Sequence, residues 1–334
     1  IYEGFPDTQI ELLHDLKDAI CVGISAMTGV QIHYGLQIAR EIKKRYPNLL
    51  VVWGGYHPSI VAEQTVSNDN VDIVVRGYGE RTFAELVESI ACGKPIDCIF
   101  GITYKKNSKI YSNPDRDIED VNNFPPLPYH LIDLNEFLVI DKEQGKTIEY
   151  ISSRGCPFNC GFCADAVVYK RKWNYLSSER VIKALEWLSK HYDFEAVRFL
   201  DSNLFVNEKR IKEICLGIIR LGLKFSWTYC NGTASILRKY SSETWELLRK
   251  VNCKRILVGA ESGLPMALEL VGKPSTVEDT IAIAHITKKY NISVTYSLMF
   301  GFPYDLPKEQ LKIIQREELI QTMRMICKLT EVGE

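Results

Sequence analysis

The chain has 334 residues, 46% hydrophobic and 25% charged. That is enough apolar material for two globular domains, and it excludes a disordered chain, a collagen-like chain and a small disulfide scaffold. Lysine and arginine number 41 against 42 for aspartate and glutamate, a net charge of -1, so no global basic field recruits nucleic acid or anionic lipid.

The first hundred residues alternate strand and helix signals. Apolar runs at 20–25, 49–53 and 71–75 each end in small residues. Between and after them, Ile32, Leu36, Ala39, Ile42 and Tyr46, then Phe83, Leu86, Val87 and Ile90, recur at helical spacing. Short apolar strands alternating with amphipathic helices predict parallel βα units with helices on both faces, a doubly wound α/β domain over 1–112. A polar hairpin at 101–112 is expected at its edge. A linker over 113–145 follows, with Phe124-Pro125-Pro126-Leu127-Pro128 barring helix and central strand. A second βα series occupies 146–334. Its strands are expected at 147–152, 196–200, 225–230, 255–258 and 293–299. Its helices are expected at 178–190, 209–221, 243–251, 264–290 (broken near Lys273-Pro274) and 307–328. Five such units make either a barrel or an open sheet.

Ten cysteines is a high count. Seven are scattered (Cys21, Cys92, Cys98, Cys215, Cys230, Cys253 and Cys327) and read as reduced, hydrophobe-like thiols. The other three, Cys156, Cys160 and Cys163, lie within eight residues on a Gly- and Pro-containing loop after the first strand of the second series. C-x3-C-x2-C can converge on one soft metal centre but leaves it a ligand short. A structural zinc site wants four ligands, and the sequence offers no second C-x2-C or H-x3-H. A plain electron-transfer cluster would also fill all four positions with protein ligands.

This spacing, with Phe162 before the last cysteine, resembles the radical S-adenosylmethionine enzymes. The resemblance implies a [4Fe-4S] cluster on Cys156, Cys160 and Cys163 whose open iron chelates S-adenosylmethionine. One electron then releases a 5'-deoxyadenosyl radical. Further matches follow the strand ends. Asp201, in Phe199-Leu200-Asp201-Ser202-Asn203, matches the acidic residue that meets the methionine amino group; otherwise it is an N-cap or turn residue. Glu261 and Ser262, in Val258-Gly259-Ala260-Glu261-Ser262-Gly263, match ribose-binding positions. Gly301, in Gly301-Phe302-Pro303, matches the segment near the adenine. The arginine the family commonly places after the third strand is absent from Trp227-Thr228-Tyr229-Cys230-Asn231-Gly232-Thr233, so the carboxylate anchor is not identified.

The strand ends of the first domain are similar to those of cobalamin-dependent members of that family. Among these, the group of the anaerobic magnesium-protoporphyrin ester cyclase and related methyltransferases fits best. The loops are Ser25-Ala26-Met27-Thr28, Gly54-Gly55-Tyr56-His57 and Gly77-Tyr78-Gly79-Glu80, with Tyr78 in place of the family's first Glu. The resemblance implies cobalamin held by Ser25, Thr28, Gly54, Gly55, His57, Gly77, Gly79 and Glu80. His33 and His57 lack the flanking Asp and Gly of a cobalt-ligating histidine, so a lower face without histidine is expected.

The implied architecture is a Rossmann-like cobalamin-binding domain followed by a partial (β/α)6 barrel. The implied activity is methylation or other modification of an unactivated carbon in a small-molecule substrate, with an external electron donor such as flavodoxin or ferredoxin. Ring formation or oxidation without methyl transfer is the alternative, and a non-catalytic cobalamin or iron–sulfur sensor is a third. A cytoplasmic enzyme is expected, with no nucleic-acid or membrane partner, because neither a secretory leader nor a span of ~18 apolar residues is visible. The chain lacks an initial Met. A missing first strand of the cobalamin fold and an end after the fifth βα unit mark it as an expected fragment.

Overall fold

The computed structural model describes residues 16–333; the first fifteen residues of the domain expected over 1–112 lie outside the described residues. Contacts divide the chain into two units, one of residues 1–119 with 167–169, the other of 120–166 with 170–334.

In the first unit, β1 (Cys21–Ser25), α1 (Val30–Arg45), β2 (Leu50–Gly54), α2 (Tyr56–Ile60), α3 (Ala62–Ser67), β3 (Ile73–Val75) and α4 (Glu80–Ala91) lead to the hairpin β4 (Ile102–Lys106) and β5 (Lys109–Ser112). The sheet order is β1-β2-β3-β4-β5, parallel through β3 and antiparallel beyond it. Alternate β2 residues feed opposite faces. Val51 and Trp53 join Ala39 and Ile42 of α1 and Val66 of α3, whereas Val52 joins Leu86 of α4, Ile99 and Ile102. Helix α1 buries Gly35, Ala39 and Ile42 and closes with Lys43, Lys44 and Arg45, which suit the negative end of its dipole. In α4 the buried residues are Thr82 and Leu86, while Phe83 is left 37% exposed. The face is therefore rotated from the expected one. The acidic and basic residues after β5 bind back to this unit through Arg76–Asp115, Arg116–Glu85 and Arg81–Glu119 pairs.

The first strand of the second unit is β6 (Val139–Asp141), antiparallel to β7 (Gly145–Tyr150). Then come β8 (Ser153–Arg154), α5 (Ala164–Val168), β9 (Asn174–Tyr175), α6 (Ser178–His191), β10 (Ala196–Phe199), α7 (Glu208–Leu221), β11 (Ser226–Thr228) and β12 (Cys230–Gly232). The chain continues through α8 (Ala234–Leu237), α9 (Ser242–Lys250), β13 (Arg255–Glu261), α10 (Pro265–Leu270), α11 (Val277–Lys289), β14 (Ser293–Leu298) and α12 (Lys308–Gly333). Parallel pairing runs β7-β10-β11 and β12-β13-β14. The strand expected over 225–230 is thus two. Tyr229 has a φ of 50°, and this left-handed residue lets the chain leave β10 and pair with β13. The guanidiniums of Arg198 and Arg255 lie 4.5 and 5.0 Å from the Tyr229 ring centroid. Helices 264–290 break where expected, into α10 and α11. The core is built from Phe199, Phe205, Trp227, Trp245 and the aliphatic faces of α6, α7 and α9. Among the described residues, no helix is long and apolar enough to cross a membrane.

Candidate cluster, S-adenosylmethionine and cobalamin sites

In the second unit the cysteine loop follows β7 and β8. Its base is a buried polar knot. Asp201, fully buried at the end of β10, accepts from Ser152 N at 2.9 Å, Ser152 Oγ at 2.7 Å and Ser153 Oγ at 2.5 Å. Arg210, 3% exposed, donates to Ser152 O and Ser152 Oγ and to Leu176 O, and its guanidinium faces the rings of Trp173 and Tyr175. The Trp173 indole N–H donates to Ser153 Oγ and Asn203 O. Burial pushes the Asp201 carboxyl up, and the three hydrogen bonds and Arg210 pull it back. Neither Asp201 nor the fully buried Ser262 turns an oxygen to solvent. Their side chains brace strand ends in this structure. Arg210 was not singled out from sequence, although it lies at the head of the buried α7 stripe continued by Ile214, Gly217 and Ile218. A charge on an apolar face is the signal that could have found it.

Cys156, Cys160 and Cys163 are all partly buried and unpaired with one another. Burial pushes the Cys156 and Cys160 thiols up. Asn203 Nδ2 lies 3.8 Å from Cys156 Sγ and 2.8 Å from Thr233 Oγ1, and its buried Oδ1 has no partner. Among the described residues, no three Cys, His, Asp or Glu side chains converge as single-ion ligands. Three thiols on one loop with no fourth C-x2-C or H-x3-H partner in the sequence suit a cubane with one open iron better than a structural zinc ion, which wants four protein ligands. The donor set therefore fits the cluster. Of the scattered cysteines, Cys215, Cys230 and Cys253 are buried and Cys92, Cys98 and Cys327 exposed.

Across the loop stands Glu261, at the end of β13 where the register with β14 slips. It is 5% exposed with a left-handed φ of 60°. Such strain in a non-glycine residue persists only where surrounding structure enforces it, and it concentrates at functional sites. Glu261 Oε1 accepts from Lys273 Nζ at 2.8 Å. Lys273 lies 6.0 Å from the Phe162 ring centroid, and its charge opposes the burial that raises the Cys160 thiol. Lys273 was read from sequence only as part of a helix break. Phe162 is 42% exposed. Gly301 N donates to Glu318 Oε1 of α12 at 3.2 Å. Glu261, Phe162 and the cysteines are thus brought to one end of the unit, the end where a βα barrel carries its chemistry.

In the first unit the ends of β1, β2 and β3 are laced together. Ala26 N donates to Gly54 O and His57 N to Ala26 O. Ser59 Oγ donates to Gly55 O and accepts from Gly77 N. Gly55, with φ of 92°, leaves no room for a side chain: a Cβ there would lie 2.9 Å from Ser25 Oγ and Ala26 O. His57 Nδ1 is 3.3 Å from Thr28 Oγ1, whereas His33 lies on α1 with its ring on Gln37. Ser25, Thr28 and Glu80 are exposed; Gly54, Gly77 and Gly79 are half-buried. Met27 and Val30 beside them are 55% and 63% exposed. Small residues rimmed by exposed apolar ones, at the carboxyl ends of parallel strands, fit a bulky ligand such as a corrin.

Residues 150–316 match the radical SAM superfamily model and residues 6–87 the B12 binding domain. An uncharacterized methyltransferase of Pyrococcus horikoshii is 32% identical over 93% of this chain and 65% of its own length. The anaerobic magnesium-protoporphyrin IX monomethyl ester cyclase of Rubrivivax gelatinosus is 26% identical over 87% of this chain and 52% of its own. The chain therefore spans about half to two thirds of these relatives. Among solved structures, the cobalamin-dependent radical enzyme OxsB, with aqua-cobalamin and S-adenosylmethionine bound, aligns over 95% of this chain at a TM-score of 0.77 and 20% identity. The radical methyltransferase TsrM of Kitasatospora setae gives the same TM-score at 17% identity. The three-thiol loop, the strand order and the family match lead to one conclusion: the chain belongs to the radical SAM superfamily and carries a B12-binding domain before its radical SAM domain.

Proposed function

We propose that this chain is the cofactor-binding part of a cobalamin-dependent radical enzyme that methylates an unactivated carbon of a small-molecule substrate. When bound, the cluster supplies an electron, S-adenosylmethionine a 5'-deoxyadenosyl group able to take hydrogen from carbon, and cobalamin a methyl group. Cys156, Cys160 and Cys163 hold the cluster and leave one iron to the ligand. Asp201, Ser152 and Arg210 fix the loop that carries them. Glu261 faces the ribose hydroxyls, with Phe162 and Gly301 bordering the adenosyl part. Ser25, Thr28, Gly54, Gly55, His57, Gly77, Gly79 and Glu80 cradle cobalamin. The observation that carries the reading is a three-thiol loop without a fourth ligand, opposite a strained, buried glutamate.

Methylase and methyltransferase names among the relatives, including a hopanoid C-3 methylase, favour methyl transfer. The cyclase relatives support ring formation or oxidation as the second reading. An external donor of the flavodoxin or ferredoxin kind would deliver the electron. Anaerobic reconstitution with iron and sulfide, then dithionite and S-adenosylmethionine, should yield 5'-deoxyadenosine. Cys160→Ala should yield none. Equal yields from both would refute the assignment.

A further inference from the structure

Asn203 sits in the turn after β10 and is 1% exposed. It is fixed at both ends. Trp173 Nε1 donates to its carbonyl oxygen at 3.0 Å, and its side-chain Nδ2 donates to Thr233 Oγ1 at 2.8 Å. Thr233 stands at the N-cap of α8, yet its hydroxyl caps no helix N–H, which leaves that oxygen to hold Asn203. An amide nitrogen carries two hydrogens. The second goes to Cys156 Sγ, 3.8 Å away. That contact opposes the burial that raises the Cys156 thiol, whereas at Cys160 the opposing group is the Lys273 charge. Asn203 Oδ1 meanwhile is buried without a partner. An unpaired buried acceptor is costly, and a leucine would fill much the same space without that cost, so the donor end of this amide calls for a use. A ligating thiolate has no proton and can only accept, so Nδ2 is the end of the amide that suits it.

We propose that Asn203 is a positioning residue acting through Cys156: its Nδ2–H, given to the ligating thiolate, raises the reduction potential of the cluster and sets which one-electron donors can load it. This rests on the reading of Cys156, Cys160 and Cys163 as cluster ligands. Reduction adds one electron, and the external donor loses one; no bond forms or breaks. Part of the added negative charge falls on the thiolate sulfurs. A hydrogen-bond donor on one of them favours the more negative state, which is how hydrogen bonds to sulfur tune such centres. The donor is held in place by Thr233 and Trp173 before the electron arrives, so none of the gain is spent on ordering it.

The test is a redox titration of the reconstituted protein without S-adenosylmethionine, following the reduced cluster by electron paramagnetic resonance. In Asn203→Leu the midpoint should fall by about 59 mV, a tenfold shift in a one-electron equilibrium, at unchanged iron content. Asn203→Asp keeps the shape, turns the donor into an acceptor, and should fall at least as far. Thr233→Val removes the brace but keeps the donor and should fall less. Asn231→Leu removes a neighbouring amide that donates to Asp201 O at 2.7 Å and does not meet a cysteine; its midpoint should stay in place. Should Asn203→Leu fail to take up iron, Asn203→Asp and Thr233→Val carry the comparison. Midpoints that stay put in the Asn203 variants at full iron content, or an equal fall in Asn231→Leu, overturn the role of Asn203. Wild type that takes up no iron overturns the cluster assignment itself, and that role with it.

Discussion

Asp201 shows how much depends on the direction a side chain takes. Its place after an apolar strand is plain in the sequence. Its three accepted hydrogen bonds from Ser152 and Ser153 are visible only once β7 lies beside β10. Removing the carboxylate leaves Arg210 buried without its compensating charge, an error that costs on the order of 3 kcal/mol or more. Asp201→Ala should therefore lower the melting temperature and strip most iron from the reconstituted protein, as read by thermal denaturation and iron assay. A variant with full iron content and wild-type stability would return Asp201 to the role of ligand contact. At the other site, His57 has Gly55 two residues before it and Ile60 three after, not the Asp and Gly of a cobalt-ligating histidine, so no histidine on cobalt is expected. The Co(II) electron paramagnetic resonance spectrum of the cobalamin-loaded protein should lack the three-line splitting that a coordinated nitrogen imposes. Triplets lost in His57→Ala would contradict this.

At the level of elements, α12 is the clamp of the candidate ligand-binding end. Glu318 and Thr322, one turn apart and both buried, reach two different loops. Glu318 accepts from Gly301 N and Tyr304 Oη, and Thr322 Oγ1 accepts from Gly263 N at 2.9 Å. The loop lies so close that a Cβ on Gly263 would fall 2.3 Å from the Gln321 carbonyl. Backbone cannot yield there cheaply, so Gly263→Ala should destabilise by roughly 1–3 kcal/mol and weaken S-adenosylmethionine binding. Thermal denaturation and dialysis measure the two effects, and an unchanged melting temperature would show that the loop relaxes. Glu208 links two other helices. From the start of α7 it accepts from Ser241 N at 2.9 Å and Ser241 Oγ at 2.7 Å, and from Thr244 Oγ1, at the start of α9. Burial works to raise its carboxyl, but those hydrogen bonds and Lys212 leave it lowered. A lowered folded-state value stabilises above the unfolded value and is lost as the pH falls through the folded one. Wild type should therefore lose more stability than Glu208→Gln on acidification below the usual glutamate range, measured by urea denaturation at several pH values.

Each of the two units carries parallel strands whose ends bear small or polar residues, and much of that was legible in the residues. The period-2 and period-3.6 patterns located β1 to β3, α1, α4 and the βα series because burying one face is a local demand on local residues. The C-x3-C-x2-C spacing of Cys156, Cys160 and Cys163 pointed to one shared soft-metal site, since three soft ligands on one loop need no tertiary help to be neighbours. The polar hairpin of β4 and β5 was equally readable from its alternation. Replacing any one of the three cysteines with Ala should abolish the cluster absorbance near roughly 400 nm and most bound iron. Stoichiometric zinc without iron after anaerobic reconstitution would overturn the cluster.

Other features were settled only when distant segments met. The third strand breaks at Tyr229 as pairing passes from β10 to β13, and its ring meets Arg198 and Arg255, 31 and 26 residues away along the chain. Burial of Asp201 and Ser262 depends on Ser152 and on α12, far off in sequence. Lys273 looked like the end of a helix until its ammonium met Glu261. Sequence pattern reports which side of an element is buried, because that is set by periodicity. It does not report which buried polar atoms find each other, because pairing depends on angles between elements, and those are fixed by the packing of the whole core.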